Sequence, residues 1–314
     1  MALPVSGPQE KDSTMHTNPS TPRGVWLPLI TPFRDGALDE TSARRLIRHY
    51  AARAIDGLIL AATTGEGMTL DRNETESLIM LAREELTAAG QHPPLFLGLT
   101  GSDTRAGIAA LARTALWPID GYLITCPYYT RPSREGLYRH FSLLADNTAH
   151  PILIYNIPYR TGVNIENETM LRLAAHDRIV GVKDCSADPA QSFALTRDRP
   201  AGFAVLTGED AFFHAALAQG ADGGILASAH VATEDFIAVH DRWRAEDQPG
   251  ALAAWRALSR LPALLFAEPN PAPIKHWLWR SGLIDSPELR LPMTQATDTL
   301  GARIDRAIAE GWAS

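Results

Sequence analysis

Lys183 closes an otherwise apolar run, Ile179-Val180-Gly181-Val182-Lys183, and that position sets a chemical problem. An ammonium group among apolar side chains is costly unless it is paired or neutral. At its ordinary pKa only about one lysine in a few thousand carries a neutral amine at pH 7. Desolvation lowers that pKa and supplies the free amine that forms a Schiff base with a ketone. The competing reading is a lysine that snorkels to solvent and pairs with Asp184 or Glu209; position alone does not separate the two. Tyr155 ends a second apolar run, and Tyr129 follows a third in Pro127-Tyr128-Tyr129. A positioned phenol passes protons as a general acid or base, whereas a lone tyrosine is more often an aromatic packing residue. The Thr63-Thr64-Gly65 turn offers hydroxyls and backbone N–H groups to a carboxylate, the more so if it leads into a helix N-terminus; otherwise it is a capping turn. Arg160 offers a bidentate partner to a second carboxylate, or a surface ion pair.

These residues stand at the ends of short apolar runs that recur along the chain at 24–30, 57–61, 95–99, 121–124, 152–155, 179–183, 203–207 and 223–226. The runs are too short for helices and mostly continuous rather than alternating, which suits strands buried on both faces of a parallel sheet. Between them lie helical patterns. The stretch 41–54 has Leu46, Ile47, Tyr50, Ala51 and Ala54 at helical spacing; 71–89 has Leu78, Ile79, Leu81 and Ala82, with Gly90 as a stop signal. Eight strand–helix units in order imply a (β/α)8 TIM barrel, whose active site lies at the C-terminal ends of the strands. A doubly wound open sheet is the runner-up; no GxGxxG follows the first strand. Beyond the last run the chain reads as helices through 251–266 and 273–283. The expected organisation is a disordered N-terminal extension at 1–22, polar and rich in Pro, Ser and Thr, with Met15 as a second possible start; a barrel at 23–231; and a C-terminal helical extension at 232–314.

Composition narrows the function classes. The chain has 314 residues, 45% of them hydrophobic, and a net charge of −7. No basic run is present, so no nucleic-acid partner is expected, and no stretch of about 18 apolar residues suggests a membrane span. Two cysteines, Cys126 and Cys185, point to a reducing compartment and a cytoplasmic location. Neither has metal-ligand spacing; both read as small apolar fillers. No metal or cofactor is expected.

Ala-Thr-Thr-Gly-Glu at 62–66, Pro-Tyr-Tyr at 127–129, Tyr-Asn-Ile-Pro-Tyr-Arg-Thr-Gly at 155–162 and Gly-Val-Lys-Asp at 181–184 together resemble the dihydrodipicolinate synthase/N-acetylneuraminate lyase family. The resemblance runs from about Gly24 to the C-terminus. It takes in Arg-Pro-Ser-Arg-Glu-Gly-Leu-Tyr-Arg-His-Phe at 131–141, Glu-Pro-Asn-Pro-Ala-Pro-Ile-Lys at 268–275 and Leu-Arg-Leu-Pro-Met-Thr at 289–294. It implies that Lys183 is a Schiff-base lysine for pyruvate and that Tyr155 is the proton donor and acceptor beside it. Thr63 would link Tyr155 to Tyr129 in a hydroxyl relay, with Tyr129 supplied by a neighbouring subunit of a homotetramer, a dimer of dimers. Thr64 would join Thr63 in holding the pyruvate carboxylate, and Gly208 and Ile225 would line the pocket through their backbones.

The second substrate divides this family. Arg160 matches the arginine that holds the carboxylate of aspartate semialdehyde in the synthase branch, which sialic acid lyases lack. The resemblance therefore implies condensation of pyruvate with L-aspartate 4-semialdehyde to 4-hydroxy-tetrahydrodipicolinate, in the lysine/diaminopimelate pathway. The alternatives are another pyruvate-dependent aldolase or sugar-acid dehydratase, or a catalytically idle ligand-binding paralogue. A phosphate-binding barrel suggested by Gly223-Gly224 is weaker still. Departures from the family pattern are Ala62 for a usual Gly, Gly67 for a usual Ser, and Gly98-Leu99-Thr100-Gly101-Ser102-Asp103-Thr104 for a GTGxNxT segment. Where many synthases bind lysine through Asn, Glu and His, this chain carries Ser102, Ala106 and Arg72.

Overall fold

The eight apolar runs become strands of one closed parallel barrel: β1 (Gly24–Pro28), β2 (Gly57–Leu60), β3 (Leu95–Leu99), β4 (Gly121–Thr125), β5 (Ile152–Asn156), β6 (Ile179–Asp184), β7 (Ala204–Thr207) and β8 (Gly223–Ile225). Each pairs with the next, and β8 closes on β1 through Gly24↔Gly223 to Trp26↔Ile225. The computed structural model describes residues 21–312, so the extension expected at 1–22 falls almost wholly outside the described residues. The strands match the apolar runs to within two residues at their ends. A short hairpin not foreseen in the sequence, Phe33–Arg34 with Ala37–Leu38, follows β1.

Helices α1 (Glu40–Ala51), α2 (Arg72–Ala88), α3 (Thr104–Thr114), α4 (Arg134–Asp146), α5 (Asn167–Leu173), α6 (Pro189–Asp198), α7 (Phe213–Ala218) and α8 (Thr233–Arg244) follow the strands in turn. Their starts are written locally. Asp71 accepts from the Glu74 N–H while the Glu74 side chain accepts from Asp71 N–H, a capping box that starts α2. Asp39, Asp103, Ser133 and Asp188 cap α1, α3, α4 and α6 in the same sense.

Two apolar layers hold the barrel. One lies between strands and helices. The other fills the barrel itself and includes Trp26, Phe96, Leu123, Leu153, Leu206 and Ile225. Each such side chain contributes about 1.5–3 kcal/mol on full burial. At the lower end Trp26 and Phe96 meet edge to face, with centroids 5.0 Å apart. A Cβ at Gly57 would lie 2.3 Å from the Trp26 ring, and one at Gly121 2.4 Å from the Phe96 ring. These glycines make room for the two aromatic rings inside the barrel.

Beyond α8, which packs on β1, come α9 (Gln248–Leu258), α10 (Arg260–Leu265), α11 (Ala272–Arg280) and α12 (Asp298–Ala309). The segment between α11 and α12 returns to the barrel mouth, where Glu288 forms a β-bridge with Phe33. Among the described residues no helix is long and apolar enough to cross a membrane.

Candidate active site

Lys183 lies at the upper end of β6 and Tyr155 at the same level of β5; the two are register partners. Strand alternation turns both inward. The Lys183 amine sits 4.3 Å from the centroid of the Tyr155 ring, and both side chains are buried. Burial is the largest influence on Lys183 and lowers its pKa; Asp210 and Glu209 oppose this, and Arg160 adds to it. Burial likewise raises the Tyr155 phenol well above its usual range, so the phenol keeps its proton at neutral pH. The structure thus favours the desolvated lysine over the snorkelling one: among the described residues Lys183 has no carboxylate within ion-pair distance, and Asp184 bonds instead to Ser186 and Ser192.

Gly208 follows β7 and fits against this lysine. A Cβ there would lie 2.4 Å from Lys183 Cε and 2.4 Å from Cys185 Sγ, closer than any real contact. The Gly208 N–H donates to Asp184 O at 2.9 Å. Ile225, on β8, belongs to the same inner layer as Tyr155, Ile157 and Cys185. Cys185 is therefore a filler of a particular place, the position directly above Lys183 on the inner face, and burial holds its thiol protonated. Its adjacency to the lysine follows from its place two residues on, just past the end of β6, and was legible in the sequence.

Thr63 and Thr64 stand on the loop after β2. Thr64 is buried, and its Oγ1 accepts from Asn270 Nδ2 at 2.9 Å. Of the two readings of this turn, the lead into a helix N-terminus is not found: turns fill the stretch through Gly67 and beyond, α2 starts only at Arg72, and the Asp71 side chain takes its Glu74 N–H. The turn has its own geometry. Ala61 and Glu66 both have positive φ, 54° and 51°, a conformation costly for residues with a Cβ. A Cβ at Gly67 would lie 1.8 Å from Ala61 O, which explains why this chain has no Ser there.

Arg160 is exposed at the rim, on a single helical turn, Pro158–Thr161, that follows β5 and ends at Gly162 in the left-handed region. Its guanidinium lies 5.8 Å from the Tyr159 ring. Among the described residues it has no ion-pair partner, and its charge bears on both Tyr155 and Lys183. Tyr129 stands apart from this group. Its side chain is 90% exposed, while its backbone N–H donates to Thr161 O at 3.0 Å. No hydrogen bond joins Thr63, Tyr155 and Tyr129 within one chain among the described residues. The same residues hold no group of three His, Cys, Asp or Glu side chains placed to bind a metal ion.

A lysine and a tyrosine desolvated side by side at the mouth of such a barrel can form and protonate an imine. Residues 21–310 match the dihydrodipicolinate synthetase family. The chain belongs to this family. A dihydrodipicolinate synthetase-family relative, 4-hydroxy-tetrahydrodipicolinate synthase 2 of Clostridium acetobutylicum, is 42% identical over 283 residues, 90% of this chain and 98% of that protein. A pyruvate complex of the dihydrodipicolinate synthase of Acinetobacter baumannii has a similar structure, with a TM-score of 0.87, 31% identity and coverage of 92% and 99% of the two chains. So does a lysine-bound synthase from Cyanidioschyzon merolae, with a TM-score of 0.88, 29% identity and coverage of 93% and 99%. Like its family, the chain is a pyruvate-dependent lyase of the class I aldolase type.

Proposed function

We propose that this enzyme condenses pyruvate with L-aspartate 4-semialdehyde to give 4-hydroxy-tetrahydrodipicolinate, with Lys183 as the Schiff-base residue. The observation that carries the reading is the buried Lys183 amine beside the Tyr155 ring, 4.3 Å from its centroid. The neutral amine attacks C2 of pyruvate; the resulting carbinolamine takes a proton on its hydroxyl and leaves as imine plus water. A base takes a C3 proton while the C–H electron pair moves into the protonated imine, which gives an enamine. Its C3 attacks the aldehyde carbon, whose oxygen takes a proton, and the amine of the semialdehyde then displaces Lys183 from C2, closing the ring and freeing the lysine. Tyr155, protonated and adjacent, passes the protons of these steps. The Thr63-Thr64 turn holds the pyruvate carboxylate, Gly208 and Ile225 frame the ketone, and Arg160 meets the carboxylate of the semialdehyde at the rim.

The exposed Tyr129 acquires a role in an assembly. Tyr129 of the partner subunit would complete the relay through Thr63 to Tyr155, and we place the enzyme in a homotetramer built as a dimer of dimers, in the cytoplasm. We divide the chain into a barrel at 23–231 and a helical extension at 232–314. The test is a coupled assay that offers pyruvate with aspartate semialdehyde and, separately, with sugar aldehydes. Turnover with the semialdehyde supports the reading; turnover with sugar aldehydes alone replaces it with a sugar-acid aldolase.

A further inference from the structure

The carboxylate-binding turn is fastened from the far end of the chain. Glu66 ends the Thr-Thr-Gly-Glu segment, and its Oε1 lies 2.5 Å from Nζ of Lys275, on α11. Both side chains are buried, Lys275 completely. Lys275 also donates to Glu288 O at 2.7 Å and lies 4.4 Å from the Phe33 ring centroid. The other Glu66 oxygen accepts from the Arg290 N–H at 3.1 Å. Two residues back, Thr64 Oγ1 accepts from Asn270 Nδ2. The extension thus grips the turn at two points.

Such a grip needs a reason beyond stability. A buried ion pair gains little over apolar packing of the same shape, because desolvation of both charges offsets their attraction. What it does supply is a fixed geometry. The backbone it holds is strained, with Ala61 and Glu66 in the left-handed region on either side of Thr63 and Thr64, and strained backbone persists where surrounding contacts over-determine it. A ligand carboxylate that binds through hydroxyl and N–H groups loses affinity when those groups shift by a fraction of an ångström.

The geometry points to Lys275, acting through Glu66, and Asn270, acting through Thr64, as positioning residues for the pyruvate carboxylate, so that the C-terminal extension is part of the pyruvate site. This rests on the proposed function in taking the Thr63-Thr64 turn as the pyruvate-binding turn. It assigns neither residue a contact with substrate. The semialdehyde carboxylate is assigned to Arg160, on the turn after β5, and not to the turn after β2 that these two residues fasten.

The experiment compares wild type, Lys275→Met and Asn270→Leu by steady-state kinetics, with each substrate varied in turn, below the melting temperature of every variant as read by circular dichroism. Both variants are expected to raise KM for pyruvate by roughly tenfold, the order of one or two misplaced hydrogen bonds, and to leave KM for the semialdehyde within roughly twofold. Lower melting temperatures with an unchanged pyruvate KM in both variants would overturn the inference and leave the contacts purely structural. Equal rises in both KM values would overturn it as well. Lys275→Met leaves Glu66 buried without its cation and so could fail to fold; the double variant Glu66→Gln/Lys275→Met removes both charges and is expected to fold and to keep the raised pyruvate KM. Wild type that forms no borohydride-trapped pyruvate adduct would instead overturn the functional reading, a result recognisable before any variant is made.

Discussion

Tyr155 and Lys183 are register partners across β5 and β6, and the amine of one lies 4.3 Å from the ring centroid of the other. The pairing places a desolvated amine without a carboxylate partner among the described residues beside a phenol that keeps its proton. Pyruvate with borohydride should therefore add one pyruvyl unit per chain, at Lys183. Mass spectrometry of a tryptic digest locates it; label on another lysine, or none, would remove the basis of the assignment.

The rate of that trapping should depend on pH in a definite direction. Imine formation needs the neutral amine, so the rate rises with pH until Lys183 is fully deprotonated. Burial lowers the Lys183 pKa, so the rise should be half complete, and its plateau reached, at lower pH than for an ordinary lysine amine. Asp210 opposes that lowering while accepting from the Ser228 N–H. Asp210→Asn keeps an acceptor and removes the charge, which should move the plateau to lower pH. A shift to higher pH would mean that the carboxylate does not act on Lys183 electrostatically.

Gly208→Ala tests the packing around the lysine. The added methyl would lie 2.4 Å from both Lys183 Cε and Cys185 Sγ, so the lysine must leave its place or the strand must move. Overpacking of this kind costs about 1–3 kcal/mol. Trapping should slow by about tenfold or more, the factor that 1.4 kcal/mol represents. The double variant Gly208→Ala/Cys185→Ala should recover only part of this, because the clash with Lys183 remains. Wild-type trapping by Gly208→Ala would show that the site adapts.

Arg160→Ala separates the two half-reactions. The guanidinium stands exposed at the rim with no ion-pair partner among the described residues, so its removal should leave the fold intact. A lost charge-assisted hydrogen bond costs about 1.5–3 kcal/mol. Turnover with the semialdehyde should therefore fall by roughly ten- to a hundredfold, while pyruvate trapping survives. Equal loss of both would make Arg160 a structural residue.

The parts of this site that were legible in the sequence are those set by short-range rules. Lys183 and Tyr155 end apolar runs, strand ends face the site in a parallel barrel, and the runs lie within one or two residues of the strands. Contacts between segments distant in sequence were not legible. Asn270 and Lys275 were visible as part of a Pro-rich motif, but nothing local says that they meet Thr64 and Glu66 about two hundred positions earlier. The turn after β2 was legible only as a choice between a helix start and a capping turn; its shape follows from positive φ at Ala61 and Glu66 and from the close approach of Gly67 to Ala61 O. Tyr129 is a third case, since its surroundings in one chain leave it exposed.

The last prediction concerns feedback by lysine. The resemblance places a lysine site of many synthases at Asn, Glu and His positions that here are Ser102, Ala106 and Arg72. In the structure the Ser102 hydroxyl, on the loop after β3, is engaged by the loop after β4 and donates to Tyr128 O at 2.8 Å. Ala106 is exposed on α3 and has no acceptor to offer an ammonium group. Arg72 opens α2 and has only a long, exposed ion pair with Glu76, at 4.0 Å, so it presents positive charge to a cationic effector. A missing charged partner in a partly buried site costs about 2–5 kcal/mol, enough to abolish millimolar affinity. Millimolar lysine should therefore leave the activity unchanged. Half-maximal inhibition below about 1 mM would falsify this. The cause is tested separately by Ser102→Asn with Ala106→Glu: because Tyr128 precedes Tyr129 on the same loop, a variant that gains lysine inhibition should show it as slower turnover, with pyruvate trapping at Lys183 retained.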